Sequence, residues 1–495
     1  IVSFYFYNLD GKHERYFNKM RKYIIPFILF FANFIFAAEN KNDYHLDGSE
    51  MSIFWTVPFA GILLSIAIFP LIAPHFWHKN FGKISAFWAL ILILPMLFTY
   101  GLSITLYEIL HVYLLEYFPF IILLLALYTI SGGVRIKGSL RGTPAVNLAI
   151  LIIGTLLASW MGTTGAAMLL IRPIIRANAW RKHKTHIIVF FIFLVANVGG
   201  SLTPLGDPPL FLGFLKGVNF FWTTKAMFLP MLLVVTLLLI VFYFYDVYYL
   251  NKEDSKVAPI EKGENEPLGM EGTFNLALLF LAVLAVLQSG IDSPIKGKII
   301  FNPMGIHIEL QNLMRDFLLL ALTGISWVYT SKKIRDENQF TWFPIQEVAK
   351  LFAGIFTTII PAIAILKAGN DGDMKSIIGA VSTSSGEPIN IAYFWLTGIL
   401  SSFLDNAPTY LVFFNTAGGD PSVLTTIKYN TLLAISAGAV FMGANTYIGN
   451  APNFMVKSIA ESQDIEMPSF FGYMIKYSIP ILIPIFIIVS LIFFR

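Results

Sequence analysis

Long apolar stretches, separated by short polar loops, recur along nearly the whole chain. Runs of about 18 or more apolar residues are typical of membrane-spanning helices. The pattern therefore predicts an all-α polytopic membrane protein. Its predicted spans, about ten in number, lie near residues 52–74, 84–105, 113–131, 186–215, 226–248, 273–290, 313–330, 348–367, 428–460 and 471–493.

Two stretches rich in glycine and proline interrupt these apolar runs. They read GSLTPLGDPPLF (200–211) and GANTYIGNAPNF (443–454), and they share the pattern G-x-x-T-x-x-G-[DN]-x-P-x-F. We call the interruptions at these two stretches the first and the second break. The offset between them is constant, at 443 − 200 = 243 residues. Because proline removes a hydrogen-bond donor and clashes with the preceding turn, each stretch predicts a broken helix. The shared pattern also indicates an internal repeat.

The apolar segment between Arg141 and Arg176 carries basic clusters at both ends. Since loops rich in Lys and Arg face the cytoplasm, a re-entrant hairpin that returns to the same side accounts for both clusters. Its predicted tip is the stretch 162–164, Gly-Thr-Thr. The offset of 243 places a second tip at 405–407, Asp-Asn-Ala.

Corresponding elements of the two copies are separated by five predicted spans, and an odd number inverts the second copy in the membrane. Inverted repeats with interrupted helices are typical of transporters, in which the breaks form the central site. We predict a first inverted repeat over residues 52–248, a cytoplasmic linker over 249–272 and a second inverted repeat over 273–495.

The N-terminal residues have a different pattern. A basic start at Met20 is followed by a short apolar run and small residues, which is typical of a signal peptide. We predict a signal peptide or a first helix over residues 20–38, and an N-terminal extension over residues 1–19.

Composition narrows the possible functions. The chain is 56% hydrophobic and only 13% charged, against about 25% charged in an average soluble domain. The net charge of +4 comes mostly from loop Lys and Arg, and it indicates membrane topology rather than nucleic-acid binding. The absence of cysteine excludes disulfides and thiolate metal sites. The chain has no Walker motif, so ATP-driven transport would need a separate subunit.

The two tips and two breaks supply oxygen atoms, which are the ligands that sodium prefers. Burial raises the pKa of a carboxyl and a bound cation lowers it, so protons and sodium can compete for one site. We predict sodium binding at Asp207 and Asp405. The full set of predicted ion-binding residues is Thr163, Thr164, Thr203, Asp207, Asp405, Asn406, Thr446 and Asn450.

Other intramembrane polar residues have weaker support. Glu116 and Glu347 are candidates for a proton relay, with an interfacial position as the alternative. Asn197 and Asn445 are candidates either for ligands or for bridges between helices. Arg172, like Arg176, is predicted to be a topology anchor rather than a ligand.

Three stretches resemble the NhaD-type sodium/proton antiporters: GTTGAAMLLIRPIIRAN, ANVGGSLTPLGDPPLFLGFLKGV and SSFLDNAPTYLVFF. The resemblance runs from about residue 52 to the C-terminus. It places the chain in the ion transporter superfamily, with arsenite pumps and with citrate and dicarboxylate carriers. It implies a scaffold domain and a transport domain, a homodimer, location in a bacterial inner membrane, and no cofactor besides the transported sodium and protons.

Two transport functions remain open at this point. The first is exchange of sodium, and of lithium as a further candidate, for protons. The alternative is a sodium- or proton-coupled carrier of an anion such as citrate, a dicarboxylate or arsenite. The dicarboxylate carriers that the chain resembles typically have Ser-Asn-Thr at both tips, whereas the second tip here carries Asp405 and neither tip holds Arg or Lys. The arsenite branch shares an Asp-Asn-x-Pro tip, so Asp405 does not separate that branch from the antiporters.

An enzyme is the third interpretation, and we predict against it. The chain has no H-E-x-x-H zinc motif. The two site aspartates could pair as in an aspartic protease, but that interpretation leaves the proline-broken repeats unexplained.

Overall fold

The computed structural model describes residues 45–138, 140–253, 267–291 and 294–495. The predicted extension (1–19) and the predicted signal peptide or first helix (20–38) lie outside the described residues, as does most of the predicted linker.

The first part of the described chain forms eight α-helices. They are α1 Val57–Ile72, α2 Pro74–Val112, α3 Phe118–Ser131, α4 Pro144–Met161, α5 Thr163–Ala177, α6 Thr185–Leu194, α7 Pro208–Leu215 and α8 Phe220–Leu250. Short 3₁₀ turns lie at Ile53–Thr56 and Val198–Leu202. A π-helical turn at Tyr113–Tyr117 joins α2 to α3.

The remaining described chain forms thirteen further α-helices, several of them only one or two turns long. They are α9 Phe274–Gly290, α10 Leu310–Tyr329, α11 Lys332–Glu337, α12 Phe343–Thr358, α13 Ile360–Lys367, α14 Lys375–Val381, α15 Asn390–Phe403, α16 Asn406–Thr416, α17 Pro421–Thr425, α18 Tyr429–Met442, α19 Ala451–Glu461, α20 Phe470–Tyr473 and α21 Ile483–Phe493. A π-helical segment, Met474–Leu482, joins the last two, and 3₁₀ turns lie at Pro303–Gly305, Gly369–Asp371 and Gly443–Asn445.

Within the described residues, six helical stretches are long and apolar enough to cross a membrane. A seventh qualifies if the bent pair of α12 and α13 is one span. The predominantly helical, multi-pass architecture is therefore confirmed, while the count of ten spans stays a prediction. Part of the difference arises because the second and third predicted spans form one continuous helical stretch, Pro74–Ser131. The second broken helix also contributes, because its two pieces, α18 and α19, have only 14 and 11 residues.

The boundary between the second and third predicted spans lies elsewhere than the hydropathy pattern placed it. Helix α2 is continuous over residues 106–112, where the hydropathy pattern predicts a loop. Its backbone is interrupted instead at Gly101, where φ is +81°. Glycine adopts this left-handed region without the penalty that a Cβ brings. The apolar residues around Gly101 hide this break from a hydropathy pattern.

Four short strands accompany the helices. Strand β1 (Arg135–Lys137) pairs antiparallel with β2 (Gly269–Glu271), and β3 (Ile299–Phe301) pairs with β4 (Ile308–Glu309). The hydrogen bond from Arg135 holds the pKa of the Glu271 carboxyl below its usual range. The end of the predicted cytoplasmic linker is thus a strand that joins the two halves of the chain.

The most enclosed helices are the first arms of the two broken helices. In α6 every residue from His186 to Leu194 is buried, and in α18 every residue from Thr431 to Met442 is buried. Both arms therefore lie at the centre of the protein, and they lead directly into the two interruptions.

Candidate functional site

The first predicted hairpin is present, formed by α4 and α5. At its open end, Gly142 N donates to Ala177 O at 2.7 Å, so the chain returns to the side from which it started. The arms are joined at Gly162, whose φ of +80° favours glycine. We call residues 162–164 the first tip.

The second predicted hairpin is formed by α15 and α16. Its arms contact each other through the rings of Tyr393 and Phe413, whose centroids are 6.2 Å apart. Asp405 is the N-cap of α16, where its Oδ1 accepts a hydrogen bond from Ala407 N at 3.1 Å. We call residues 405–407 the second tip.

Each hairpin is fastened to a broken helix by a threonine from the break. The Thr203 hydroxyl donates to Ser159 O, and the Thr446 hydroxyl donates to Ser402 O. Each hydroxyl also accepts a hydrogen bond at 3.2 Å from the backbone N–H two residues further on. These contacts are related by the offset of 243 residues. The two hydroxyls therefore hold hairpin and break together, and neither threonine lines the central cavity.

Glycines allow the backbone of each break to fold closely onto itself. A Cβ on Gly206 would overlap Gly200 O, and a Cβ on Gly449 would overlap Gly443 O. We expect Gly206→Ala to lower the melting temperature and the yield of folded protein, because overpacking costs about 1–3 kcal/mol where the backbone must shift. The matched control is Gly324→Ala in α10, where the new methyl group meets open space. Equal melting temperatures for both variants would contradict this account.

Asp207, which lies in the first break, is hydrogen-bonded to both tips and to the second break. Its Oδ1 accepts hydrogen bonds from Asn450 Nδ2 at 2.9 Å and from Thr163 Oγ1 at 3.2 Å. Its Oδ2 accepts a hydrogen bond from Asn406 Nδ2 at 2.5 Å. One carboxylate in the first break thus contacts both tips and the second break.

The charge of Asp207 is not balanced by the protein around it. The side chain is 1% exposed, and in the described part of the chain it makes no salt bridge. Its three hydrogen-bond donors are neutral amides and a hydroxyl. Because an ionised carboxylate is costly to bury without a counter-charge, Asp207 requires either a proton or a bound cation.

Further oxygen atoms lie next to this carboxylate. Asn406 Oδ1 is buried and accepts no hydrogen bond within the described residues. Asp405 is half-buried and lines the central cavity, as do Thr163, Thr164 and Asn450. Of the eight predicted ion-binding residues, five therefore lie near the Asp207 carboxylate, either bonded to it or in the same cavity wall. The remaining two, Thr203 and Thr446, bond to the hairpin backbone instead.

The central cavity has a volume of about 470 Å³ and is lined mainly by apolar side chains. Asp207 and Asp405 lie in its wall together with residues of α3, α12 and α19. An apolar cavity with a few convergent polar groups is the usual form of a small-ligand site.

The two predicted relay carboxylates lie in different surroundings. Glu347 is half-buried and lines the cavity. Glu116 lies outside the cavity wall, in the π-helical turn, and pairs with Lys216 at 2.5 Å. This ion pair joins the turn to the end of α7, the helix that Asp207 starts.

Two features of the site were not foreseen. Asn453, whose Nδ2 donates to Gly443 O and to Thr446 O, accepts a hydrogen bond from Asn197 at 2.6 Å. The pair joins the two breaks, so Asn197 is a bridge between helices. The sequence signal for Asn453 was the second asparagine of GNAPNF, which had not been considered.

The second unexpected feature is Arg172, which lines the cavity, whereas a topology anchor does not need to do so.

A second buried network holds the open end of the first hairpin. Asp246 in α8 accepts from Arg181 at 2.6 Å, from His186 at 2.8 Å and from Asn147 at 2.9 Å. Asn147 also donates to Asn178 Oδ1 at 3.0 Å. The five side chains are buried, so this network fixes the base of the hairpin whose tip contacts Asp207.

Two hairpins that meet two broken helices at a buried polar centre define a membrane transporter. The chain belongs to a family described as "Putative citrate transport", whose model matches residues 48–494. The membership confirms the broader relationship to ion transporters that the motifs indicated, while the closer resemblance to NhaD-type antiporters stays a prediction. No curated protein matches the chain.

Proposed function

We propose that this chain exchanges sodium for protons at Asp207 and Asp405. The observation that carries the proposal is the buried Asp207 carboxylate, which has three neutral donors and no salt bridge among the described residues. A proton or a small cation can neutralise it, and an anion cannot.

The ligand set of the proposed sodium site follows from the atoms that remain available. Asp207 and Asp405 supply charge, and Asn406 Oδ1 supplies a neutral oxygen that has no donor in the described structure. Thr163 and Thr164 line the same wall of the cavity. Hard cations such as sodium favour this oxygen chemistry. Thr203 and Thr446 act indirectly, by holding each hairpin to its break.

Exchange follows from competition at these carboxylates. Protonation removes the charge that holds sodium, and deprotonation restores it. Glu347, in the cavity wall, is the candidate for passing protons between the site and the cavity opening. Glu116 is engaged by Lys216, so a relay role for it requires that ion pair to open.

Everted membrane vesicles from a strain that lacks its own antiporters test this proposal. We expect added sodium to dissipate a respiration-driven pH gradient, measured by dye fluorescence, and added choline to leave it intact. Lithium is tested in parallel. An unchanged gradient between about pH 6 and 9.5, with the protein shown in the membrane, would exclude cation/proton exchange.

The family supports a second candidate function, a sodium- or proton-coupled carrier of citrate, with dicarboxylates and arsenite as further candidate substrates. The family description names citrate, and the central cavity has Arg172 in its wall. In this function Asp207 and Asp405 bind the coupling cation rather than the substrate. Uptake of labelled citrate into proteoliposomes, driven by a sodium or a proton gradient, tests it separately from the dye measurement.

The assembly and location of the protein are proposals of the same kind. The resemblance to NhaD-type antiporters supports a homodimer in a bacterial inner membrane, and the apolar multi-pass helices are compatible with that location.

A further inference from the structure

The cavity that contains Asp207 has a positive group in its wall. Arg172 lies on α5, nine residues after Thr163, so its backbone is roughly 13 Å along the helix from the first tip. Side chains of a helix lean towards its N-terminus, so the guanidinium leans back towards the tip. Among the described residues that line the cavity, Arg172 is the single Arg or Lys.

The guanidinium of Arg172 is only partly paired. Its Nη2 donates to Gln339 Oε1 at 3.1 Å. Its Nη1 is enclosed by protein and has no hydrogen-bond partner in the described structure. No carboxylate forms a salt bridge with Arg172 in residues 45–138, 140–253, 267–291 and 294–495. A charged donor without a partner is costly, and a ligand carboxylate would remove that cost once the side chain turned Nη1 towards the cavity.

We propose that Arg172 binds a carboxylate group of an organic anion, in the same cavity in which Asp207 and Asp405 hold a cation. This inference deepens the second candidate function and rests on it. Opposite charges bound in one low-dielectric cavity attract each other, so each ligand raises the affinity of the other. The cavity thus has separate places for the anion and for the coupling cation.

A topology anchor is the competing role for Arg172, and the two roles predict different results. An anchor needs only a positive charge at the cytoplasmic end of the helix, which lysine supplies equally well. A carboxylate contact also uses the planar guanidinium, whose paired N–H groups lysine lacks. Arg172→Lys therefore separates the two roles.

Calorimetric titration of the purified protein with citrate, in sodium and in choline buffer, tests the proposal. We expect wild type to bind citrate, Arg172→Gln to bind it about tenfold or more weakly, and Arg172→Lys to lie between them. Arg176→Gln is the matched control, because it removes the same charge one turn further along α5, from a residue outside the cavity wall. It should bind citrate as wild type does.

Absence of citrate binding to folded wild type would overturn the proposal, and so would equal affinities in wild type and Arg172→Gln. An Arg172→Lys affinity equal to that of wild type would also overturn the proposal, because a positive charge alone would then be enough. The cation site is read separately: Asp207→Asn should lose the difference in citrate affinity that wild type shows between sodium and choline buffer. A failure of cation/proton exchange in vesicles therefore leaves the Arg172 result standing.

Discussion

Asp207→Asn should reduce cation/proton exchange by about a hundredfold or more, which corresponds to ~3 kcal/mol of lost stabilisation. The substitution keeps the size of the side chain and removes the charge that a cation or proton neutralises. It also disturbs the hydrogen bonds, because Asn406 and Asn450 both donate to Asp207. An amide at this position has one acceptor oxygen, and its own N–H groups would face another donor.

Exchange is measured by dye fluorescence in everted vesicles that contain equal amounts of each variant. Asp420→Asn is the matched control, since Asp420 is an exposed N-cap of α17 and asparagine caps helices equally well. Asp405→Asn is a second test, because the new asparagine preserves the cap of α16 and removes only the charge. Wild-type exchange in both Asp207→Asn and Asp405→Asn would disprove the proposed site.

The local form of the site could be predicted from the sequence, because it depends on nearby residues. Prolines at 208 and 209 break a helix wherever the chain goes, and Gly162 permits the turn between two hairpin arms. Because the pattern repeats, each local feature predicted in the first half of the chain also predicted its counterpart in the second half. The offset of 243 residues carried the first break onto the second and the first tip onto Asp405.

The convergence of these elements could not be predicted with the same detail. Asp207 contacts Asn406 across 199 residues and Asn450 across 243, and such contacts depend on how the two halves pack. Sequence periodicity therefore identified candidates without assigning their partners. For the same reason Thr203 was predicted as a ligand, although its hydroxyl is used by Ser159 O.

Charged residues outside the two tips and the two breaks were the hardest to interpret. Nothing in the sequence indicates that Glu116 pairs with Lys216, because the two residues are 100 positions apart in the chain. Arg172 was predicted to be a topology anchor together with Arg176, and its position in the cavity wall became visible only in the three-dimensional structure.

Asp246→Ala should lower the free energy of unfolding by about 3–5 kcal/mol, the largest effect on stability that we expect from a single substitution. The variant leaves the fully buried Arg181 without the carboxylate that it contacts at 2.6 Å. It also removes the acceptor for His186 and for Asn147 at the base of the first hairpin. The measurement is the melting temperature of the purified protein in detergent.

A double variant separates the cost of an unpaired charge from the value of the ion pair. Replacing a buried ion pair by apolar residues of similar size is often neutral, whereas removing one partner is strongly destabilising. We therefore expect Asp246→Leu combined with Arg181→Met to melt at a higher temperature than Asp246→Ala alone. Asp336→Ala, on an exposed position of α11, controls for loss of a carboxylate as such. Equal melting temperatures for Asp246→Ala and Asp336→Ala would show that the Asp246 network does not fix the base of the hairpin. The position of the first tip against Asp207 would then need another explanation.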